Sequence, residues 1–143
     1  WMARALEQAF AADAVAEVPV GAAVVRAGRL ISESHNLTRT RNDPLAHAEI
    51  VALAKAVERT GDSRLIDCTL FVTLEPCAMC AGALVLAKLG RLVYGASDPK
   101  TGMCGSLACI VQDPRLNHRV RLTAGVLQSE SGDLLRKFFR ERR

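Results

Sequence analysis

Two short segments do most to limit what this 143-residue chain can fold into: His47-Ala48-Glu49, and Pro76-Cys77-Ala78-Met79-Cys80, which begins near position 76. Two thiolates and one imidazole are donors that zinc prefers, and three protein ligands leave a fourth position for water. A fold that uses these residues together must bring His47, Cys77 and Cys80 to one point. Cys77 and Cys80 are three apart at a helix start, so their sulfurs project from one face. The free N–H groups and positive helix end there favour thiolates. Such a ligand set nearly cancels the ion's charge, so its water needs a nearby base, and Glu49 is the candidate. One tension remains: His47 and Glu49, two apart, point in nearly opposite directions on a regular helix. Both reach one water only if His47 lies where the helix is not yet regular, and Asp43-Pro44 just upstream allows that. Alone, Cys-x-x-Cys also fits a redox pair, but that reading, with Glu75-Pro76 beside it, gives His47 and Glu49 no role.

The rest of the chain reads as alternating helices and strands. Met2 to Ala16 is near helical period and Pro19 ends it. Val20–Val25 and Leu30–Ser34 flank an Ala27-Gly28 turn as a hairpin, and Leu37–Leu45 is a loop. A helix is predicted over Ala46–Thr60 with Gly61 as its stop. Thr69–Leu74 is a strand buried on both faces. Cys77–Leu89 is a helix with Pro76 in its first turn and Gly90 as its stop. Arg91–Gly95 is a strand, Ala96–Ser106 a loop, and Leu107–Val111 a short helix. Val120–Ala124 is a strand, and Ser129–Arg142 a helix with Leu134, Leu135, Phe138 and Phe139 on its inner face. This order predicts one α/β domain over residues 1–143, with helices packed on a mixed sheet.

Composition excludes several classes. Half of the residues are apolar and 24% are charged, which is ordinary for a globular protein. The longest uncharged run, Pro76 to Ala87, is short of the roughly 20 residues a membrane span needs. Arg4, Glu7 and Asp13 interrupt the apolar N-terminal pattern, so it does not read as a secretory signal. Five cysteines, an odd number, favour a reducing cytoplasm over a disulfide framework. The net charge of +4 is uneven: residues 115–143 hold 8 basic and 3 acidic side chains, the rest 11 and 12. A basic end suits a polyanion, and the plain alternative is a solvated terminal helix.

Together the segments spell His-x-Glu…Pro-Cys-x-x-Cys, the signature of zinc-dependent nucleobase deaminases. At these residues the chain resembles the cytidine/deoxycytidylate deaminase superfamily. Further stretches narrow the resemblance to the bacterial tRNA-specific adenosine deaminases, the TadA type. They include Glu17-Val18-Pro19-Val20-Gly21-Ala22, Asp98-Pro99-Lys100-Thr101-Gly102, Asn117-His118-Arg119-Val120 and Phe138-Phe139-Arg140. The resemblance implies a three-layer α/β/α cytidine-deaminase-like fold around a five-stranded mixed sheet. It implies one zinc ion per subunit on His47, Cys77 and Cys80, and a homodimer. The implied reaction is hydrolytic deamination of adenosine to inosine at wobble position 34 of a tRNA anticodon. A zinc-activated water is its nucleophile and Glu49 its proton shuttle. By the same resemblance the base lies against His47 and Val20, and Asn36 and the Ala48 N–H read its edge. Leu74 and Pro76 line the pocket, and Asp98 meets the neighbouring nucleotides.

Without it, Asn36 and Asp98-Pro99 are common turn residues, and Val20, Leu74 and Pro76 are core. Phe139 is expected to reach toward the substrate, because it and Phe138 cannot both face the core. Lys100, Arg140, Arg142 and Arg143 are expected on the tRNA backbone. The chain departs from its best-known relatives at Cys104 and Cys109, read here as buried packing, and at His35, which is expected at the pocket rim. Cys68 reads as core. Two rival readings stay open: a free nucleobase or nucleoside deaminase of the same superfamily, acting on guanine or cytosine, and a non-catalytic zinc-stabilised RNA-binding module.

Overall fold

A computed structural model describes residues 1–143. Helix α1 (Met2–Ala14) precedes a hairpin of β1 (Gly21–Arg26) and β2 (Arg29–His35). Its Ala27-Gly28 turn takes φ of 50° and 72°, the left-handed pair that a two-residue hairpin turn requires. Next come α2 (Ala48–Thr60), β3 (Cys68–Leu74), α3 (Ala78–Leu86), β4 (Arg91–Ala96), a 3-10 turn (Ile110–Gln112), β5 (Arg121–Ala124) and α4 (Gln128–Glu141). The sheet order is β2-β1-β3-β4-β5. β1 is antiparallel to β2 and β3, while β3, β4 and β5 run parallel.

The strand register sorts side chains to two faces. Ala22, Val72 and Tyr94 align across the sheet, as do Val24, Leu70 and Leu92. These six pack in one cluster with Ala48, Ala52 and Ala56 of α2 and Ala81 and Leu84 of α3. On the opposite face Ala23, Phe71 and Val93 meet Met2 and Ala5 of α1, and α4 packs along β4 beside them. The result is a three-layer α/β/α sandwich around a mixed five-stranded sheet, as the sequence predicts. Being central, β3 has no exposed residue. The solvent-accessible surface of 7422 Å² is close to the roughly 7,200 Å² that mass scaling predicts for a compact chain of this size. No helix is long and apolar enough to cross a membrane.

Four local expectations change. Helix α2 starts at Ala48 rather than Ala46, because the Asp43 carboxylate accepts the Leu45 N–H and holds residues 43–46 in a turn. Helix α3 stops at Leu86, three residues early, where Lys88 takes a positive φ of 55°. Gly90 instead allows a close chain crossing, since a Cβ there would sit 2.1 Å from the Ile66 carbonyl oxygen. The expected helix over Leu107–Val111 is replaced by a bridge between Cys104 and Cys109, followed by the 3-10 turn. On α4, Ser131, Leu134 and Phe138 form the buried stripe, while Phe139 is 48% exposed.

Candidate active site

His47 is the residue before the first turn of α2, with φ −70° and ψ 152°. This extended backbone resolves the tension in the sequence: the imidazole leaves the chain before helical geometry begins, and Glu49 follows in the first turn. Cys77 holds the same place on α3, with φ −74° and ψ 179°, and Cys80 lies in the first turn. The two helix starts face each other. The His47 Nδ1 atom lies 3.7 Å from Cys77 Sγ and 3.5 Å from Cys80 Sγ, and the three ligand atoms fall within 4.8 Å of one another. Bonds of about 2.3 Å to sulfur and about 2.1 Å to nitrogen put tetrahedral donors about 3.6 Å apart. The cluster therefore fits a zinc ion in spacing as well as in donor chemistry.

The two sulfurs and the imidazole of the cluster are coupled in their titration. The Cys77 thiol is pulled down to about 3, first by the hydrogen bond from Cys80 and then by His47. Cys80 is pushed up correspondingly, by that bond to Cys77 and by burial. The two sulfurs thus share one proton, and the thiolate at Cys77 in turn raises His47. Glu49 is 4% exposed, and burial pushes its carboxyl up to about 7.

The cluster and Glu49 lie in a cleft of about 1010 Å³. Its wall also holds Val20, Asn36, Leu74, Asp98, Lys100, Phe139, Arg140, Arg142 and Arg143. Cys80 is fully buried behind that wall. Two expected contacts are placed otherwise. Pro76 is buried and does not line the cleft; its carbonyl accepts the Met103 N–H. The Ala48 N–H donates to Asn36 Oδ1 at 2.9 Å, so it fixes the Asn36 carboxamide instead of facing the cleft. That bond leaves the Asn36 amide nitrogen without a protein partner. His35 is not in the wall, and its Nδ1 pairs with Gln8 Oε1 at 3.1 Å. Lys100, Arg140, Arg142 and Arg143 have no carboxylate partner. Arg142 is nonetheless anchored, 3.6 Å above the Phe138 ring and bonded to the Phe138 carbonyl.

Sequence reasoning gave no role to Glu75, which is 2% exposed. Its carboxylate accepts the N–H groups of Asp98, Cys104 and Ser106 and the Ser106 hydroxyl at 2.6 Å. Gly102 is needed beside it, since a Cβ there would sit 2.0 Å from Glu75 Oε2. Asp98 in turn accepts the N–H groups of Lys100 and Thr101 and the Thr101 hydroxyl. One buried carboxylate thus organises the 98–106 wall of the cleft. The only sequence signal was its position next to Pro76. Among the other wall residues without a predicted role, Leu135 was assigned to the core, and Val18 and Thr38 were given no place in the site.

Residues 1–143 match the family model of the MafB19-like deaminases. The chain is 44% identical over 143 residues to a tRNA-specific adenosine deaminase of Bacillus subtilis, covering all of this chain and 89% of the relative. It is 47% identical to one from Haemophilus influenzae, covering 99% and 83%. The chain belongs to the tRNA-specific adenosine deaminase family. A solved structure from work on A-to-I editing by tRNA:A34 deaminases matches with a TM-score of 0.90 at 44% identity, covering 94% of this chain and 97% of that one. A guanine deaminase from Nitrosomonas europaea matches with 0.79 at 26% identity, covering 96% and 81%. The family therefore shares its fold with a free-base enzyme, and the substrate has to be argued from the cleft.

Proposed function

We propose that this chain hydrolytically deaminates adenosine to inosine at wobble position 34 of a tRNA anticodon. The observation that carries the reading is the meeting of His47, Cys77 and Cys80 with the buried Glu49 on the floor of a cleft whose rim is cationic. In this reading residues 1–143 act as a single zinc-dependent deaminase domain. His47, Cys77 and Cys80 hold one zinc ion, which when bound supplies an acidified, oriented water. Glu49 accepts one proton of the attacking water and delivers it to N1 of the adenine, then takes the second proton from the hydroxyl newly added at C6 and gives it to the departing amine. Its raised affinity for protons suits a group that must both take and give one near neutral pH. Asn36, held by the Ala48 N–H, presents its free amide N–H to the base edge. Val20 and Leu74 pack against the base, and Pro76 supports them from behind.

Extruding a base from a loop where it is already partly unpaired costs only a few kcal/mol. Phe139 offers a stacking face for a neighbouring nucleotide, and Asp98 sets the loop that meets it. Lys100, Arg140 and Arg143 neutralise phosphates, with Arg142 fixed beside them over Phe138. The cleft volume of about 1010 Å³ is at the top of the roughly 300–1,000 Å³ of small-molecule sites, more room than a free guanine or cytosine uses. The unpaired rim cations likewise have no use with a neutral base. A tRNA substrate places the enzyme in the cytoplasm. The enzyme acts as a homodimer in this reading, supported by the apolar Leu86, left 83% exposed on α3.

The test is incubation of the zinc-supplemented protein with total tRNA, followed by sequencing for adenosine-to-inosine change. Free adenine, guanine and cytidine are run in parallel. Inosine confined to position 34 is expected. Conversion of a free base with no inosine in tRNA overturns the reading in favour of the free-base alternative.

A further inference from the structure

We infer that Cys104 and Cys109 form a reversible disulfide across the bridge that closes the 98–106 wall. The two residues are antiparallel bridge partners. Flanking them, the Gly105 N–H donates to the Ala108 carbonyl at 2.8 Å and the Ile110 N–H to the Met103 carbonyl at 2.9 Å. Bonds on both sides make Cys104 and Cys109 a non-hydrogen-bonded pair. Such pairs have their Cα atoms about 4.5 Å apart and their side chains on one face. That separation lies within the roughly 4.4–6.8 Å range a disulfide spans. Cys104 is fully buried in the core cluster, and the half-buried Cys109 packs against the same cluster. The deamination chemistry uses neither thiol.

The two thiols have different parts. Burial, and then the nearby Cys109 sulfur, push the Cys104 thiol up, whereas Cys109 reaches solvent. The Cys109 thiolate attacks a low-molecular-weight disulfide of the glutathione class, expelling one thiolate and leaving a mixed disulfide. Cys104 then gives its proton to solvent and attacks the Cys109 sulfur, expelling the second thiolate. Two protein thiols are oxidised and one small disulfide is reduced to two thiols. The link spans the hairpin whose Cys104 and Ser106 N–H groups are tied to Glu75. Oxidation therefore stiffens the wall that carries Asp98 and Lys100.

The protein, with zinc present, is treated with oxidised glutathione, and its free thiols and mass are read after denaturation. The five free thiols are expected to fall by two, with the mass lower by two hydrogens. One internally linked peptide should contain both Cys104 and Cys109. Amide exchange at Gly105 and Ile110 should slow roughly tenfold, as closing the hairpin removes its open states. Cys104→Ala should stop at a glutathione adduct on Cys109, and Cys109→Ala should not lose the two thiols. Retention of all five thiols, a link between Cys77 and Cys80 instead, or unchanged oxidation of either variant overturns the inference.

Discussion

Glu75 offers the sharpest test of how the cleft is built. Its buried carboxylate has no cation beside it and is satisfied by four donors alone, three of them backbone N–H groups. In Glu75→Gln, one oxygen keeps the Cys104 and Ser106 N–H groups, and the Ser106 hydroxyl turns to accept from the new amide. Only the Asp98 N–H, at 3.3 Å the joint-longest of the four, loses its acceptor, while the surviving bonds lose their charge assistance. The charge assistance lost by the three surviving bonds is offset by the lower cost of burying a neutral amide than a carboxylate, so the net loss is that of the one charged bond, about 2 kcal/mol. In Glu75→Ala all donors lose their partner, and the buried Cys104 N–H and part-buried Ser106 N–H alone cost about 1–3 kcal/mol each, so about 5 kcal/mol is expected. Denaturant unfolding measures both losses, and the glutamine variant should melt roughly 4–8 °C lower. Hydrogen exchange should show the loosening concentrated in 98–106. An alanine variant within about 0.5 kcal/mol of the parent, or a glutamine variant no better than alanine, refutes the argument that these bonds hold the wall.

The remaining predictions follow from individual side chains. Glu49→Gln should keep bound zinc, measured by metal analysis, while inosine formation drops by about 10²–10⁴, the range a positioned proton shuttle contributes. Arg140→Gln with Arg143→Gln should weaken tRNA binding and lower the slope of log affinity against log salt by about 1 per lost phosphate contact. Titration in increasing salt checks this. Phe138→Ala should destabilise by about 3–5 kcal/mol because the ring is buried, whereas Phe139→Ala should cost under about 1 kcal/mol and show itself in KM for an anticodon stem-loop. For pH, burial opposes ionisation of Glu17, but bonds from the Thr40 N–H at 2.6 Å and the Thr38 hydroxyl outweigh it and hold the carboxyl below its ordinary value. Its contribution is therefore full above the unfolded value near 4.5 and fades as pH falls through the folded one. Glu17→Gln should flatten that acid limb in urea titrations.

What could be read from the sequence depended on how far apart the partners lie along the chain. The five strands, the four helices and their packing on a mixed sheet follow from periodicity and turn residues, each a matter of a few neighbours, while the three-layer order was implied by the family resemblance. The metal cluster was legible although His47 and Cys77 are distant, because their donor chemistry is rare enough to require convergence. It even required that His47 lie where the helix is not yet regular, and the structure meets that requirement with an extended His47 just before α2. Glu75 and Asn36 carried no such mark. A carboxylate that accepts N–H groups 23 to 31 residues away looks in sequence like any solvated charge. The asparagine that caps Ala48 from 12 residues upstream likewise looks like a turn residue. The short helix expected over 107–111 failed for the same reason. Local apolar spacing favoured a helical turn, but Glu75 draws in the N–H groups of Cys104 and Ser106 and commits the segment to a hairpin. Polar groups buried on behalf of distant backbone decide the shape of this cleft, while its chemistry is written in the donors themselves.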